Sequence, residues 1–304
     1  MNNIRIREAG LRDGFQMISE FVPTEKKIEL CKAIYRAGIR EFDLTSFVPA
    51  KLLPQFSDAA EMVDLSNSLK GMKGCVLTPN LKGVQRAVQS GAQYITYILS
   101  ASEAHNWANL RRTTEDSLNE LIEVAAFLKS EVDVDGVAPQ LLVGLSTAFG
   151  CTIQGDVEQS HVLGLLEKIS ELGISEITLA DTVGYADPAS VKKLFSEAKS
   201  VVSCDIAAHF HDTRGLGLAN VISAMDVGID IFDSSMGGLG GCAFVPGAAG
   251  NVATENLVYM LTRMGINTGV DMEQLLVARE VMENFLPDLK YYDHISKAGL
   301  PINF

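Results

Sequence analysis

Apolar positions along the chain recur in two rhythms that take turns from one end to the other. Short β-branched runs occur at Ile4–Glu8, Glu41–Thr45, Gly74–Leu77, Gln93–Leu99, Leu141–Ser146, Glu176–Ala180, Ile206–His209 and Ile229–Ser234. Between them lie stretches with apolar residues three and four apart, such as TEKKIELCKAIYRAG, TEDSLNELIEVAAFLKSEV and DPASVKKLFSEAKSV. The first rhythm fits strands and the second amphipathic helices. Several of the helical stretches open on Thr, Ser, Asn or Asp and stop at Gly, as caps require. Consecutive strand–helix units with no long polar linker predict an α/β chain folded as a closed (β/α)8 TIM barrel. The turn after the first strand, AGLRDGFQ, lacks the glycine fingerprint of a dinucleotide-binding open sheet. Residues 1–304 read as a single barrel domain, with 237–251 as a glycine-rich lid loop. Residues 271–304, which include MEQLLVAREVMENF, read as a C-terminal extension carrying an extra helix.

Composition narrows the class of function. Hydrophobic residues make up 47% of the 304 and charged residues 21%, enough for a large core. No apolar run reaches the roughly 18 residues of a membrane span, so no membrane role is expected. The start MNNIRIREAG passes almost directly into a strand pattern, which predicts a cytoplasmic protein without a leader. Five cysteines (Cys31, Cys75, Cys151, Cys204 and Cys242) are widely spaced and form no C-x-x-C pair, against a disulfide framework or a structural zinc site. A net charge of −13 argues against nucleic acid as a partner, so an anionic substrate needs a locally basic site.

In such a barrel, chemistry sits where strands end and helices begin. That filter keeps Glu8 and Arg12-Asp13-Gly14 after strand one, Asp43, Thr45 and Ser46 at strand two, and Asp181-Thr182 at strand six. It also keeps His209 and His211 after strand seven, and Cys242 and Asn251 in the loop after strand eight. The chain has only five histidines, and two stand one residue apart in HFHDTRGLGLAN. Positions i and i+2 of a strand face the same side, so both imidazoles reach one volume. Any single Asp or His here reads more readily as a structural group, but two imidazoles joined by a carboxylate from strand one call for a bound cation. Two imidazoles, a carboxylate and an amide or water oxygen suit Mg2+ or Mn2+ better than Zn2+, although ligand type alone leaves Zn2+ open. Arg12 either holds an oxyanion that forms during reaction or pairs with Glu8 or Asp43. Six glycines between Gly237 and Gly250 give that loop the freedom of a lid around Cys242, or of a tight phosphate-hugging turn.

Five stretches taken together, EAGLRDGFQ, TSFVPAKLLPQFSD, LADTVGYADP, HFHDTRGLGLAN and GLGGCAFVPGAAGNVATENLVYML, span nearly the whole chain. With them the sequence resembles the 3-hydroxy-3-methylglutaryl-CoA lyase family, metal-dependent barrel lyases related to Claisen-type synthases. The resemblance implies that Asp13, His209, His211 and Asn251 hold a divalent cation, Asn251 through its side-chain oxygen. It implies Arg12 as the catalytic arginine, Cys242 as the lid cysteine and Asp181 as the acid ending strand six. Asp43 and His209 join the catalytic set, and Gln16, Ser46 and Thr178 are expected substrate contacts. The implied reaction is a retro-Claisen cleavage of 3-hydroxy-3-methylglutaryl-CoA to acetyl-CoA and acetoacetate. His209, a carboxylate or a metal-bound water takes the hydroxyl proton, and Cys242 protonates the enolate carbon. The expected partner is a small acyl-CoA substrate, in a homo-oligomer (dimer or tetramer).

The chain departs from the family pattern in three places. Met17-Ile18 replaces the usual Asn-Glu, Asp43 replaces a Glu, and the lid reads CAFVPGAAGN, more apolar than usual. These changes leave the metal chemistry intact and point at the acyl group. They keep open a lyase of the same type acting on a neighbouring 3-hydroxyacyl-CoA such as citramalyl-CoA. A Claisen-type synthase or metal aldolase fits less well, because synthases carry Asp-Gly-Glu-Gln in the first motif and extra C-terminal domains. Arg111 and Arg112 stand in the loop after strand four as either CoA phosphate partners or a solvated basic surface.

Overall fold

A computed structural model describes residues 4–132, 137–241, 250–302 and 304. The strands are β1 (Arg5–Glu8), β2 (Glu41–Ser46), β3 (Lys73–Thr78), β4 (Tyr94–Ser100), β5 (Gln140–Ser146), β6 (Glu176–Asp181), β7 (Asp205–Phe210) and β8 (Ile231–Ser234). Each pairs in parallel with the next, and β8 returns to β1 through Arg5↔Ile231 to Glu8↔Ser234, closing the barrel. The open-sheet alternative is excluded by that closure.

The helices follow the apolar rhythm: α1 (Thr24–Arg36), α2 (Ala59–Ser68), α3 (Leu81–Gln89), α4 (Glu103–Leu110), α5 (Thr114–Ser130), α6 (Gln159–Ser170), α7 (Pro188–Val201), α8 (Gly217–Asp226), α9 (Thr254–Arg263), α10 (Met272–Phe285) and the short α11 (Ile295–Ala298). Thr113 and Asp187 open α5 and α7 with capping boxes, and Asn80 caps α3 through a bond from the Gly83 amide. Such caps satisfy amides that have no partner within the helix. α10, the extra helix expected after the barrel, buries Leu275, Ala278 and Met282 against α1. α4 was not expected. It inserts EAHNWANL between β4 and α5, with Ser102 as its cap, so Arg111 and Arg112 follow a helix and not a simple loop.

The apolar core forms one continuous cluster between barrel and helices, with Phe42, Tyr97, Phe195, Phe210 and Phe232 fully buried. Inside the barrel the picture is polar. Arg7 of β1 is 3% exposed and ion-paired to Glu176 of β6, while Arg5 reaches Glu41 at 2.6 Å and Lys73 reaches Glu176 at 3.4 Å. These pairs fill the lower barrel and leave the opening above them for the site.

Candidate active site

At the C-terminal mouth of the barrel the strand ends and the first loop enclose a cavity of about 540 Å3. Asp13 arrives on the helical turn Gly10–Gly14 that follows β1, a turn tied down by Glu8. The buried Glu8 carboxylate accepts bonds from the amides of Gly10 and Met236 and from the Thr254 hydroxyl, and so joins the first loop to the last. His209 ends the inward face of β7. His211 lies just beyond, where it bridges to Asn251. One ligand atom each from Asp13, His209 and His211 falls within 4.8 Å of the others, all three residues being buried.

The imidazoles face each other through their Nε2 atoms, 3.1 Å apart. His209 Nδ1 bonds Asp233 Oδ2 of β8 at 3.0 Å. Burial pulls the His209 pKa down, but the hydrogen bond and charge of Asp233 outweigh it and hold it above the usual value. His211 has no such partner, so burial and the neighbouring His209 push it down to about 4 and keep its ring neutral. Burial alone raises Asp13; Arg12 and the two imidazoles reverse that and set it below the usual carboxylate range.

Asn251 sends Nδ2 to Asp13 Oδ2 at 2.6 Å and to the Leu239 carbonyl at 2.9 Å. The expected ligand atom, Oδ1, is buried without a hydrogen-bond partner. A carboxylate attracts the donor end of an amide, whereas a cation between the two groups would favour the acceptor end, and a half-turn of the amide exchanges them. Gly240, at φ +113°, leaves the cradle open: a Cβ there would stand 2.4 Å from Asn251 Nδ2 and 2.7 Å from Asp13 Oδ2. Three convergent ligand atoms, a partnerless buried oxygen and a cradle that tolerates no side chain together fit a divalent cation.

Arg12 borders this cluster. Its Nε meets Asp43 Oδ2 at 2.6 Å and its Nη2 the same oxygen at 2.5 Å, while Nη1 meets Asp13 Oδ1 at 2.7 Å and Gln16 Oε1 at 3.3 Å. Of the two partners read from sequence, Asp43 is therefore the real one; Glu8 is engaged elsewhere. Burial raises Asp43 even against the pull of Arg12. Asp43 sits where the β2–β3 register shifts, a bulge that re-aims a side chain.

Gln16, Ser46 and Thr178 all line the cavity. Gln16 Nε2 bonds Asp13 Oδ1, Ser46 Oγ donates to the Leu77 carbonyl and accepts from the Val48 amide, and Thr178 Oγ1 accepts from Arg7. Asp181 is placed differently. Its two oxygens accept the amides of Tyr185 and Ala186, so it folds the turn after β6, and it is not among the cavity walls. Burial raises it to about 6. Cys242, with residues 242–249 of the expected lid, lies outside the described residues.

Asp233 and Arg7 also border the cavity and were missed from sequence. A lone Asp inside a strand and an Arg within RIRE carry no spacing signal; only the register of β1, β7 and β8 brings them beside His209. His105 is a wall residue too, bonded through Nδ1 to Ser100 Oγ at 2.8 Å.

Comparison with known proteins bears on this arrangement. The HMGL-like family model matches residues 3–282. The chain is 40% identical over 285 residues to the mitochondrial hydroxymethylglutaryl-CoA lyase of Arabidopsis thaliana, covering 93% of this chain and 59% of that protein. It is 39% identical to the hydroxymethylglutaryl-CoA lyase of Bacillus subtilis, covering 92% of each. Among solved structures, an HMG-CoA lyase from Acenitobacter baumannii in complex with coenzyme A and 3-methylmalate superposes with a TM-score of 0.92 at 37% identity, covering 99% of this chain and 97% of that one.

Proposed function

Because this chain belongs to the HMGL-like family, we propose that it is a divalent-metal-dependent carbon–carbon lyase cleaving 3-hydroxy-3-methylglutaryl-CoA to acetyl-CoA and acetoacetate. The observation that carries the reading is the convergence of Asp13, His209 and His211 inside the cavity of a chain related over nine-tenths of its length to lyases of that name. Asp13, His209, His211 and Asn251 hold the cation in this reading, which favours Mg2+ or Mn2+ over Zn2+. When bound, such an ion polarises substrate oxygen atoms as a Lewis acid.

The chain's own groups divide the remaining work. His209 commits Nδ1 to Asp233 and Nε2 to the cluster, so it has no nitrogen left to act as base. Asp43 is the better base: both Arg12 bonds fall on Oδ2, and Oδ1 is outside that pair. A carboxylate raised by burial accepts protons more readily. Oδ1 takes the proton of the tertiary hydroxyl, the C2–C3 bond breaks, C3 becomes the ketone carbon of acetoacetate, and the bonding pair passes into the acetyl-CoA enolate. Arg12 spends four of its five N–H donors on Asp43, Asp13 and Gln16, leaving one on Nη2 for the enolate oxygen. Cys242 delivers the proton to the enolate carbon in this reading. Asp181 serves the turn that follows β6.

A related acyl group is the second reading. Met17, 46% exposed, lines the cavity together with Val48, Pro49 and Leu52, apolar side chains where the family pattern has Asn at 17. This change in lining supports a neighbouring 3-hydroxyacyl-CoA thioester such as citramalyl-CoA as the alternative substrate. Product analysis on a small panel of these thioesters, with and without chelator, separates the two. Acetyl-CoA and acetoacetate released only with metal present is the expected result, and no cleavage of any thioester overturns both readings. A cytoplasmic homo-oligomer completes the proposal, supported for the compartment by widely spaced thiols; fractionation and light scattering test these points. Among the described residues no helix is long and apolar enough to cross a membrane.

A further inference from the structure

The register of three adjacent strands builds a row of charged side chains beneath the cluster. His209 of β7 lies opposite Asp233 of β8, and Asp233 lies opposite Arg7 of β1. Neighbours in register on parallel strands point to the same side, here the barrel interior. Arg7, Asp233 and His209 are 3%, 7% and 7% exposed. Asp233 Oδ2 meets His209 Nδ1 at 3.0 Å, and Asp233 Oδ1 has Arg7 Nη1 at 3.6 Å and no hydrogen-bond donor.

We infer that Asp233, anchored by Arg7, is a positioning residue that fixes the ring and tautomer of His209 so that its Nε2 lone pair faces Asp13 and His211. A neutral imidazole carries one proton, and the nitrogen that keeps it cannot bind a cation. A carboxylate at Nδ1 accepts only, so it forces the proton onto that nitrogen. Arg7 selects the carboxylate's place: it is held from below by Glu176 and from the side by Thr178 Oγ1, so its guanidinium is a fixed post for Asp233. If Asp233 served only to neutralise Arg7, the imidazole beside it would be indifferent to the exchange of carboxylate for amide.

The inference rests on the cation reading, and the experiment separates their failures. Mn2+ binding to the whole protein is measured by calorimetry for wild type, Asp233→Asn and Arg7→Met, with circular dichroism and melting to verify folding. An amide at 233 can donate to Nδ1 and drive the proton to Nε2, so Asp233→Asn is expected to weaken Mn2+ binding about 10- to 100-fold, and Arg7→Met by a smaller factor. Wild type that binds no Mn2+ removes the cation reading and this inference with it. Wild type that binds while folded Asp233→Asn matches it within about twofold overturns the inference alone. Wild-type protein labelled with 15N-histidine and loaded with Mg2+ needs no variant. The proton of His209 on Nδ1 supports the assignment, and on Nε2 refutes it.

Discussion

Two polar regions share the barrel interior, and they differ in how completely their charges are matched. In the lower barrel Glu41, Glu176 and Asp233 each have a cation within 3.6 Å, supplied by Arg5, Arg7 and Lys73. At the mouth Asp13 and Asp43 share the single Arg12, while two imidazoles face each other and Asn251 Oδ1 and His211 Nδ1 have no hydrogen-bond partner. Buried polar groups are nearly always satisfied. Arg7 Nε and Asp233 Oδ1 of the lower network also lack hydrogen-bond partners, but only at the mouth do ligand atoms from Asp13, His209 and His211 converge beside such an orphaned acceptor. That convergence marks the mouth for a ligand. The lower network is chiefly scaffold and the upper one chiefly machinery, and Asp233 joins the two through His209 and Arg7.

That contrast breaks most sharply at its two carboxylates. Asp13→Asn removes the one charged member of the cluster, and the expected outcome is loss of Mn2+ binding with kcat/KM down about a thousand-fold, equivalent to about 4 kcal/mol. Glu176→Gln removes an equally buried carboxylate from the lower network. There the expected loss is in stability, about 3 kcal/mol for removing the shorter of Arg7's two buried ion pairs, with Mn2+ still bound. Calorimetry with Mn2+ and thermal melting of both variants check the crossed pattern. A Glu176 variant that loses metal and an Asp13 variant that keeps it would erase the distinction.

Acid should strike the mouth next. The folded state holds His211 at about 4, burial being the main cause and His209 the second, against the usual 6.5 of a free imidazole. Between those values the unfolded chain binds a proton that the folded protein refuses, so His211 lowers stability as pH falls from about 6.5 to 4. The largest loss is about 3 kcal/mol, and a bound cation would act in the same direction. Melting temperatures at pH 7, 6 and 5 for wild type and His211→Gln provide the check. The variant should show the shallower slope over that range.

The sequence carried the scaffold because β-branched runs and helical spacing repeat locally, and because the ends of strands one, two, six, seven and eight carry polar candidates by position. His209 and His211 were legible from an interval of two, and Arg12 and Asp13 from their place after β1. Asp233 was not, since its meaning lies in the register between β7, β8 and β1, which no local pattern encodes. α4 escaped for a different reason: EAHNWANL is short and polar, with little apolar periodicity to mark it. Asp181 shows the opposite hazard. Its position at a strand end reads as catalytic, yet the amides of Tyr185 and Ala186 claim both of its oxygens.

Two glycines provide the finest test of the division between scaffold and machinery. At Gly240 an added methyl would collide with Asp13 and Asn251, so substitution there belongs with the large effects. Gly144 lines the cavity from β5, and a Cβ on it would meet Thr96 Cγ2 at 3.7 Å and Ile98 Cδ1 at 3.9 Å, ordinary van der Waals contacts. Its backbone conformation is open to an L-residue, so Gly144→Ala should fold as well as wild type or gain up to about 1 kcal/mol from a stiffer unfolded chain. The methyl takes space from the cavity wall at β5, and the contacts nearest to it are Thr96 and Ile98, not the cation ligands. Mn2+ affinity should therefore hold, while KM rises by a small factor, more for bulkier 3-hydroxyacyl thioesters than for smaller ones. Equal KM changes across the panel would mean that the acyl group does not reach β5.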